Sequence, residues 1–280
     1  MRAAYSNGAR RFDAQAGSFD RRAGLPPAAV EAIAAAVLAT AELVADGVLL
    51  ELGAGTGEIG AALATHGSMA YLGLDLSLPM LARFGARLRV LPVSTARGAL
   101  AQADADRPWP LAGRARIVFV SRALHLLDLE HVATEVVACC HPRGCTVVVG
   151  RVRRDPDGVR GMLRRQMRSL LAAHGVTGKS GERAHGGLLA ALSPYGAEPR
   201  VPRTAATWTA AVRPAEVLAA WRDKPGLAGA SVSPALQAEV LDRLQDWAQA
   251  QLGDLAAPRP AVEAYELAVI DLPAREEAGR

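Results

Sequence analysis

The order of apolar segments predicts an α/β protein with an open, doubly wound sheet. Two observations carry this. Between residues 47 and 152, five short apolar runs alternate with helix-length segments, and a cluster of glycines directly follows the first run. Each parallel strand needs a crossover that returns the chain to the same edge, so this alternation builds an open sheet with helices on its faces. Seven strands are expected in all, mostly parallel, with an antiparallel strand at the C-terminus and a helical cap.

The elements follow in order. Val30, Ile33, Val37, Leu38, Ala41 and Val44 share one side of a helix over 28–45, entered through Pro26 and Pro27 and closed near Gly47. Val48 to Leu52, apolar at every position but Glu51, reads as a short run of a strand buried on both faces. The glycines turn it into a second helix over 57–64. Met69 to Leu74 is another buried strand ending at Asp75, and Pro79 opens a helix running to about Leu88. Strands over 99–103, 117–120 and 145–152 follow, with a helix over 129–140. From Arg153 to Arg200 the pattern breaks, leaving one amphipathic helix with Val159, Met162, Leu163, Gln166, Met167, Leu170 and Leu171 on one face and arginines on the other; its two methionines read as a flexible wall over a hydrophobic acceptor or as core. Strands over 204–212 and 262–272 enclose helices over 214–222 and 234–252, and this last pair is expected to close the sheet at its edge. The chain reads as one domain: an N-terminal helical cap over 1–46, a core over 47–152, an inserted helical lid over 153–200, and a C-terminal part over 201–280 that completes the sheet.

Composition narrows the function. With 280 residues, half of them hydrophobic, the chain buries a substantial core, which excludes general disorder. A net charge of +4 does not demand a polyanionic partner, and aromatics at 4% are too few for an extended base-stacking surface. All but two of the 32 basic residues are arginine, the exceptions being Lys179 and Lys224, which reads as a compositional bias. Cys139, Cys140 and Cys145 form neither a disulfide framework nor zinc spacing, so a reducing, cytoplasmic setting is expected. The N-terminus lacks the apolar run of a signal peptide, and no window approaches the roughly 18 apolar residues that span a bilayer.

The chemistry concentrates in Glu51-Leu-Gly53-Ala-Gly55-Thr-Gly57-Glu-Ile-Gly60. Glycines at a strand-to-helix turn let backbone approach a ligand, and open α/β sheets bind ligands at the carboxyl ends of their strands. A nucleotide-like cofactor is expected. Gly55 to Gly60 also satisfies GxGxxG, with Asp75 beyond it, so a nicotinamide oxidoreductase is a rival. Register opposes that rival, because the first glycine after the strand is Gly53 and the motif counted from there is GxGxG. No GxxxxGK[ST] is present, which removes a P-loop.

Glu51-x-Gly53-x-Gly55-x-Gly57, Tyr71-Leu-Gly-Leu-Asp75-Leu-Ser and Gln102-Ala-Asp104-Ala follow three successive strands. Together they resemble the Rossmann-like class I S-adenosylmethionine-dependent methyltransferases. The run Asp104 to Pro110, then Ser121-Arg-Ala-Leu-His125-Leu-Leu, is similar to the small-molecule branch that includes the quinone-biosynthesis (type 11) methyltransferases. The resemblance implies methyl transfer from S-adenosylmethionine to a small, hydrophobic or anionic acceptor, at O or C rather than N. It assigns Gly53, Ala54, Gly55 and Gly57 to the cofactor's amino-acid and ribose portions, with Glu51 anchoring the loop or an ammonium. Asp75 would accept from the ribose hydroxyls, and Asp104 from the adenine amino group beside a backbone contact at Ala105. Leu76 and Met80 would form apolar walls, with Ser121 at the fourth strand end. The leader Phe12-Asp-x-x-Ala-Gly-Ser-Phe19-Asp20-Arg21-Arg22 resembles the family segment that folds over the cofactor. Phe19 would cover the sulfonium and Arg22 would meet the carboxylate; anchoring to the sheet is the other reading.

Two positions depart from the pattern: Arg116 stands where the branch carries an acidic residue before strand four, and Gly144-Cys145 replaces Gly-Gly before strand five. His125 is the candidate general base, with a structural histidine as its alternative. His66, His131, His141, His174 and His185 lack ligand spacing, and no metal is expected. The [DN]PP[YF] signature of adenine- or glutamine-nitrogen methylation is missing after strand four, which disfavours a nucleic-acid partner. Seven arginines at 151, 153, 154, 160, 164, 165 and 168 would attract an anionic substrate or simply form a solvated face. A monomer or homodimer is expected, and a non-catalytic cofactor-binding protein of this fold is the second rival.

Overall fold

The computed structural model describes residues 12–13, 16–17, 19–20, 24–41, 46–66, 68–91, 98–178, 181–223 and 225–274. Eight strands make one sheet: β1 (Val48–Leu52), β2 (Ala70–Asp75), β3 (Gly98–Gln102), β4 (Ala115–Ser121), β5 (Cys145–Arg154), β6 (Glu198–Pro199), β7 (Arg203–Val212) and β8 (Arg259–Leu272). Their order is β3-β2-β1-β4-β5-β8-β6, with β7 paired to β8. The pairs β1/β2, β2/β3, β1/β4 and β4/β5 are parallel, and β6 is antiparallel to β8. Strand order reverses between β1 and β4, and the crevice at their carboxyl ends is where such sheets take ligands.

The α/β class and the mostly parallel sheet follow the sequence expectation, with one difference. The sheet has an eighth strand, the two-residue β6, which is too short to leave a periodic signal. The last long strands, β7 and β8, pair with each other as expected, and β6 pairs with β8 as well.

The described residues form two compact units, one within 1–151, 184–206 and 265–280, the other within 152–183 and 207–264. In the first, every residue of β1 is buried, and Leu50, Leu52, Val118, Val120 and Val147 form a core with Leu188 and Leu192. Its helices are α1 (Pro27–Leu38), α2 (Gly60–His66), α3 (Leu78–Arg89) and α4 (Leu129–Cys139), and α6 (Gly181–Leu192) joins them from Ala184 onward. The expected helix over 28–45 stops at Leu38, where Ala39 leaves helical geometry at φ −77°, ψ 3°. The helix expected from residue 57 starts at Gly60, because Gly57 sits at φ +76°, outside the right-handed helical region. Ser77 caps α3 by accepting the Met80 N–H at 3.3 Å, and Asp128 caps α4 by accepting from Glu130 and His131.

The second unit has its own core. Val159, Leu163, Met167 and Leu171 of α5 (Val159–Ala173) pack with Val217 and Leu218 of α7 (Pro214–Arg222) and with Val240, Leu241 and Leu244 of α8 (Pro234–Leu252). Of the apolar face expected for this helix, Val159, Leu163, Met167 and Leu171 are core and Leu170 packs against it, while Met162 lies outside the cluster. On the polar side Glu263 pairs with both Arg154 (3.1 Å) and Arg160 (3.3 Å). No helix among the described residues is long and apolar enough to cross a membrane.

Candidate active site

A cavity of about 950 Å³ opens in the first unit at the carboxyl ends of β1, β2, β3 and β4. Gly53, Ala54 and Gly55 form its floor, Asp75 and Leu76 one side, Asp104 and Ala105 another, and Ser121 lies at the end of β4. Met80, Ile59, Leu126 and Leu127 add apolar lining.

The loop owes its shape to glycine. Gly57 is at φ +76°, and a β-carbon there would meet the Phe84 ring at 2.1 Å, so neither the torsion nor the space admits a side chain. Gly57 therefore shapes the loop from behind and is not among the lining residues. Gly55, at φ +57°, would place a β-carbon in ordinary contact with the Gly53 carbonyl oxygen at 3.9 Å, and it donates its N–H to Asp75 Oδ2 at 2.7 Å. Asp75 Oδ1 takes the Ser77 N–H at 2.8 Å. Two backbone donors thus fix the carboxylate at the cavity wall, and each oxygen keeps a further lone pair for hydrogen bonding. Burial raises Asp75 above the usual carboxylate range, with the N–H groups of Ser77 and Gly55 pulling the other way.

Glu51, also a lining residue, is 3% exposed and accepts the Tyr71 hydroxyl. Burial pushes its carboxyl up to about 8, so it holds its proton at neutral pH and acts as a hydrogen-bonding group within the loop. Asp104 Oδ1 accepts the Asp106 N–H at 3.1 Å, and the Ala105 carbonyl accepts the Trp109 indole N–H at 3.0 Å. Ser121 shares a 2.5 Å hydroxyl contact with the buried Tyr265.

The leader residues Phe12 and Phe19 line the cavity, and polar tethers hold their segment. Asp13 accepts the Ser77 hydroxyl at 2.6 Å. Asp20 takes the Thr56 hydroxyl at 2.5 Å and Arg87 at 2.8 Å. Arg122 pairs with Glu58 at 2.8 Å and lies 5.6 Å from the Phe19 ring centroid, within cation–π range. Glu58 also accepts the Leu25 N–H at 2.5 Å. Arg22 lies outside the described residues. His125, in the short 3₁₀ turn Leu124–Leu126, is exposed and is not among the lining residues, whereas Leu126 and Leu127 on the same turn are.

Sequence reasoning did not single out Arg122, Glu58, Asp20, Arg87 or Tyr265. Arg122 and Glu58 stood inside quoted motifs without a role. Tyr265 lies 144 positions from Ser121, and nothing local marks it.

Residues 49–144 match a family model described as a methyltransferase domain. The chain accordingly carries a class I S-adenosylmethionine-dependent methyltransferase domain, whose cofactor is S-adenosylmethionine. Similar solved structures include a type II methyltransferase, so assigned, from Anaeromyxobacter dehalogenans, at 18% identity over 87% of this chain and 97% of that one, with TM-score 0.54. The YcgJ protein from Bacillus subtilis is similar at 14% identity over 87% and 98%, with TM-score 0.53. The [4+2]-cyclase SpnF is similar at 18% identity over 88% and 81%, with TM-score 0.51. At such identities these likenesses show the fold alone. No curated protein matches by sequence.

Proposed function

We propose that this protein transfers a methyl group from S-adenosylmethionine to a small organic acceptor, at O or C rather than N, in a dehydrated cavity. The observation that supports it most is the convergence of the Asp75 carboxylate, the Gly53–Gly57 loop and two leader phenylalanines on one cavity. When bound, S-adenosylmethionine supplies an electrophilic methyl on a sulfonium, so the protein's task is to orient the partners and exclude water.

In this reading Asp75 accepts from the two ribose hydroxyls, Asp104 from the adenine amino group, and Ala105 offers a backbone contact. Leu76 and Met80 wall the ring, Ala54 and Gly55 admit the backbone-hugging portion, and Ser121 lines the cavity at the end of β4. Glu51 anchors the loop through Tyr71. Phe12 and Phe19 exclude water, and Arg122 holds Phe19 in place. His125 stands outside the lining set, so we assign no proton to it and leave deprotonation to the acceptor's own acidity or a bound water. We further infer that the whole chain works as one methyltransferase domain of the small-molecule branch, similar to the type 11 enzymes.

Calorimetric titration with S-adenosylhomocysteine and with NADH, followed by transfer of radiolabelled methyl to a panel of phenolic, enolic and isoprenoid acceptors, tests this. Saturable S-adenosylhomocysteine binding with label appearing in a small product is the expected result. Binding of NADH instead, or cofactor binding with no transfer to any acceptor, would overturn it.

A further inference from the structure

A second cavity in the first unit, about 530 Å³ in volume, lies at the other end of the sheet, where β4 and β5 begin. Arg116, Arg143, Arg200, Thr146 and Asp271 line it. Arg116 is the position where the sequence departs from the acidic residue expected before strand four. It occupies the second position of β4 and is 8% exposed. Its Nη1 donates to the carbonyl oxygens of Arg143, at 2.7 Å, and of Gly144. Its buried Nε has no hydrogen-bond partner. No carboxylate among the described residues forms an ion pair with Arg116.

A guanidinium cannot shed its charge, and one held out of water without a counter-ion is electrostatically unfavourable. The neighbouring acids do not supply that counter-ion. Asp271 is occupied by Arg200, at 2.5 Å to Nε and 2.7 Å to Nη2, and by the Thr146 hydroxyl at 3.0 Å. Asp46 contacts His141 at 3.4 Å. Arg143 is exposed and likewise forms no ion pair with a described carboxylate. Arg200 and Asp271 pair with each other, and Asp46 reaches Arg143 only through space, so among the described residues Arg116 lines this polar cavity as a cation without an ion-pair partner, with Arg143 beside it. A phosphate group carries close to two negative charges at neutral pH and takes the charge-assisted bonds that guanidinium groups offer.

We propose that this cavity binds a phosphate group on Arg116 and Arg143, as inorganic phosphate or as a small phosphomonoester, at a site independent of the cofactor cavity. The test is calorimetric titration of the full chain, at matched ionic strength, with inorganic phosphate, glycerol 3-phosphate and acetate, with and without saturating S-adenosylhomocysteine. Saturable phosphate binding, undiminished by S-adenosylhomocysteine, is expected, with acetate far weaker. Arg143→Gln weakens it about tenfold and Arg143→Glu removes it, while both variants keep wild-type affinity for S-adenosylhomocysteine, which shows they are folded. Arg116→Gln, if it folds by the same criterion, weakens phosphate binding at least as much. Tighter binding of glycerol 3-phosphate than of phosphate identifies a phosphomonoester as the natural occupant, and equal binding identifies phosphate itself. The proposal fails if phosphate does not saturate at concentrations on the order of 10 mM, if it competes with S-adenosylhomocysteine, if acetate binds equally, or if Arg143→Glu leaves binding intact.

Discussion

The hydroxyls of Ser121 and Tyr265 meet at 2.5 Å across 144 residues of sequence, joining the end of β4 to the C-terminal strand directly behind the cavity. Tyr265 is fully buried, and its ring fits only because position 150 is glycine: a β-carbon there would stand 2.2 Å from the Tyr265 oxygen. Tyr265→Phe keeps the ring and removes one hydrogen bond. The expected cost is about 1 kcal/mol of stability with a several-fold loss of S-adenosylhomocysteine affinity. Thermal melting and calorimetry on the same sample measure both; an unchanged affinity would remove Tyr265 from any positioning role.

Asp75 offers a sharper separation of binding from folding. Asp75→Asn keeps the shape and one acceptor oxygen but loses the charge that strengthens bonds to ribose hydroxyls. Affinity for S-adenosylhomocysteine should fall about 10- to 100-fold, which is about 1.4 to 2.8 kcal/mol. Stability should fall by about 1 kcal/mol, because the amide nitrogen cannot accept one of the two backbone N–H groups that the carboxylate oxygens now take. A variant that binds normally would take Asp75 out of the cofactor contact.

Glu51 sets a pH dependence whose sign follows from its burial. The folded carboxyl keeps its proton until about pH 8, whereas an unfolded glutamate releases it near the ordinary value of about 4.3. Between those limits the folded state binds more protons, so its stability falls as pH rises. Glu51→Gln should flatten that slope while still accepting the Tyr71 hydroxyl. Melting temperatures of the two proteins from about pH 5 to about pH 8 decide it: parallel curves would show that Glu51 does not titrate in this window.

Arg122 is a non-glycine residue at φ +58°, a backbone conformation that carries strain. Arg122→Gly relieves the strain and loses the Glu58 pair, whereas Arg122→Ala loses the pair and keeps the strain. Glycine should therefore exceed alanine in stability by about 1 kcal/mol, and both should raise the dissociation constant for S-adenosylhomocysteine through the loosened Phe19. Chemical denaturation resolves the stability difference.

His125→Ala should leave turnover within about twofold of wild type across the neutral range, because the side chain is exposed and away from the cavity lining. A fall of tenfold or more, with loss of the acidic limb of the pH profile, would restore it as the general base.

Much of this architecture was legible in the sequence, for reasons that are physical. Val48–Leu52 was read to its ends because a strand buried on both faces is apolar at all but one position, Glu51, and the glycine cluster marks where it stops. The helices over 214–222 and 234–252 announce themselves through proline at their first turns. Asp75 and Asp104 were legible because strand ends place acids by register. Helix α6 was missed because its sequence, GERAHGGLLAAL, pairs a weak apolar stripe with two central glycines that argue against a helix. Whether His125 lines the cavity was not legible, because a position just beyond a strand end does not say which way a 3₁₀ turn points its side chain; it lies outside the lining residues. The leader's aromatic residues could be flagged from their pattern, but the tethers Asp20–Arg87 and Asp13–Ser77 join residues more than sixty positions apart and exist only in the fold.

Gly57 and the ring of Phe84 occupy what is almost one volume, the loop bending into the space the helix leaves for it. The two positions are therefore not free to diverge separately. A relative that bears a side chain at position 57 must shrink the residue at position 84 and find another way to make the turn, so the identity of a helix residue that never meets the ligand sets the limits within which the ligand loop can evolve.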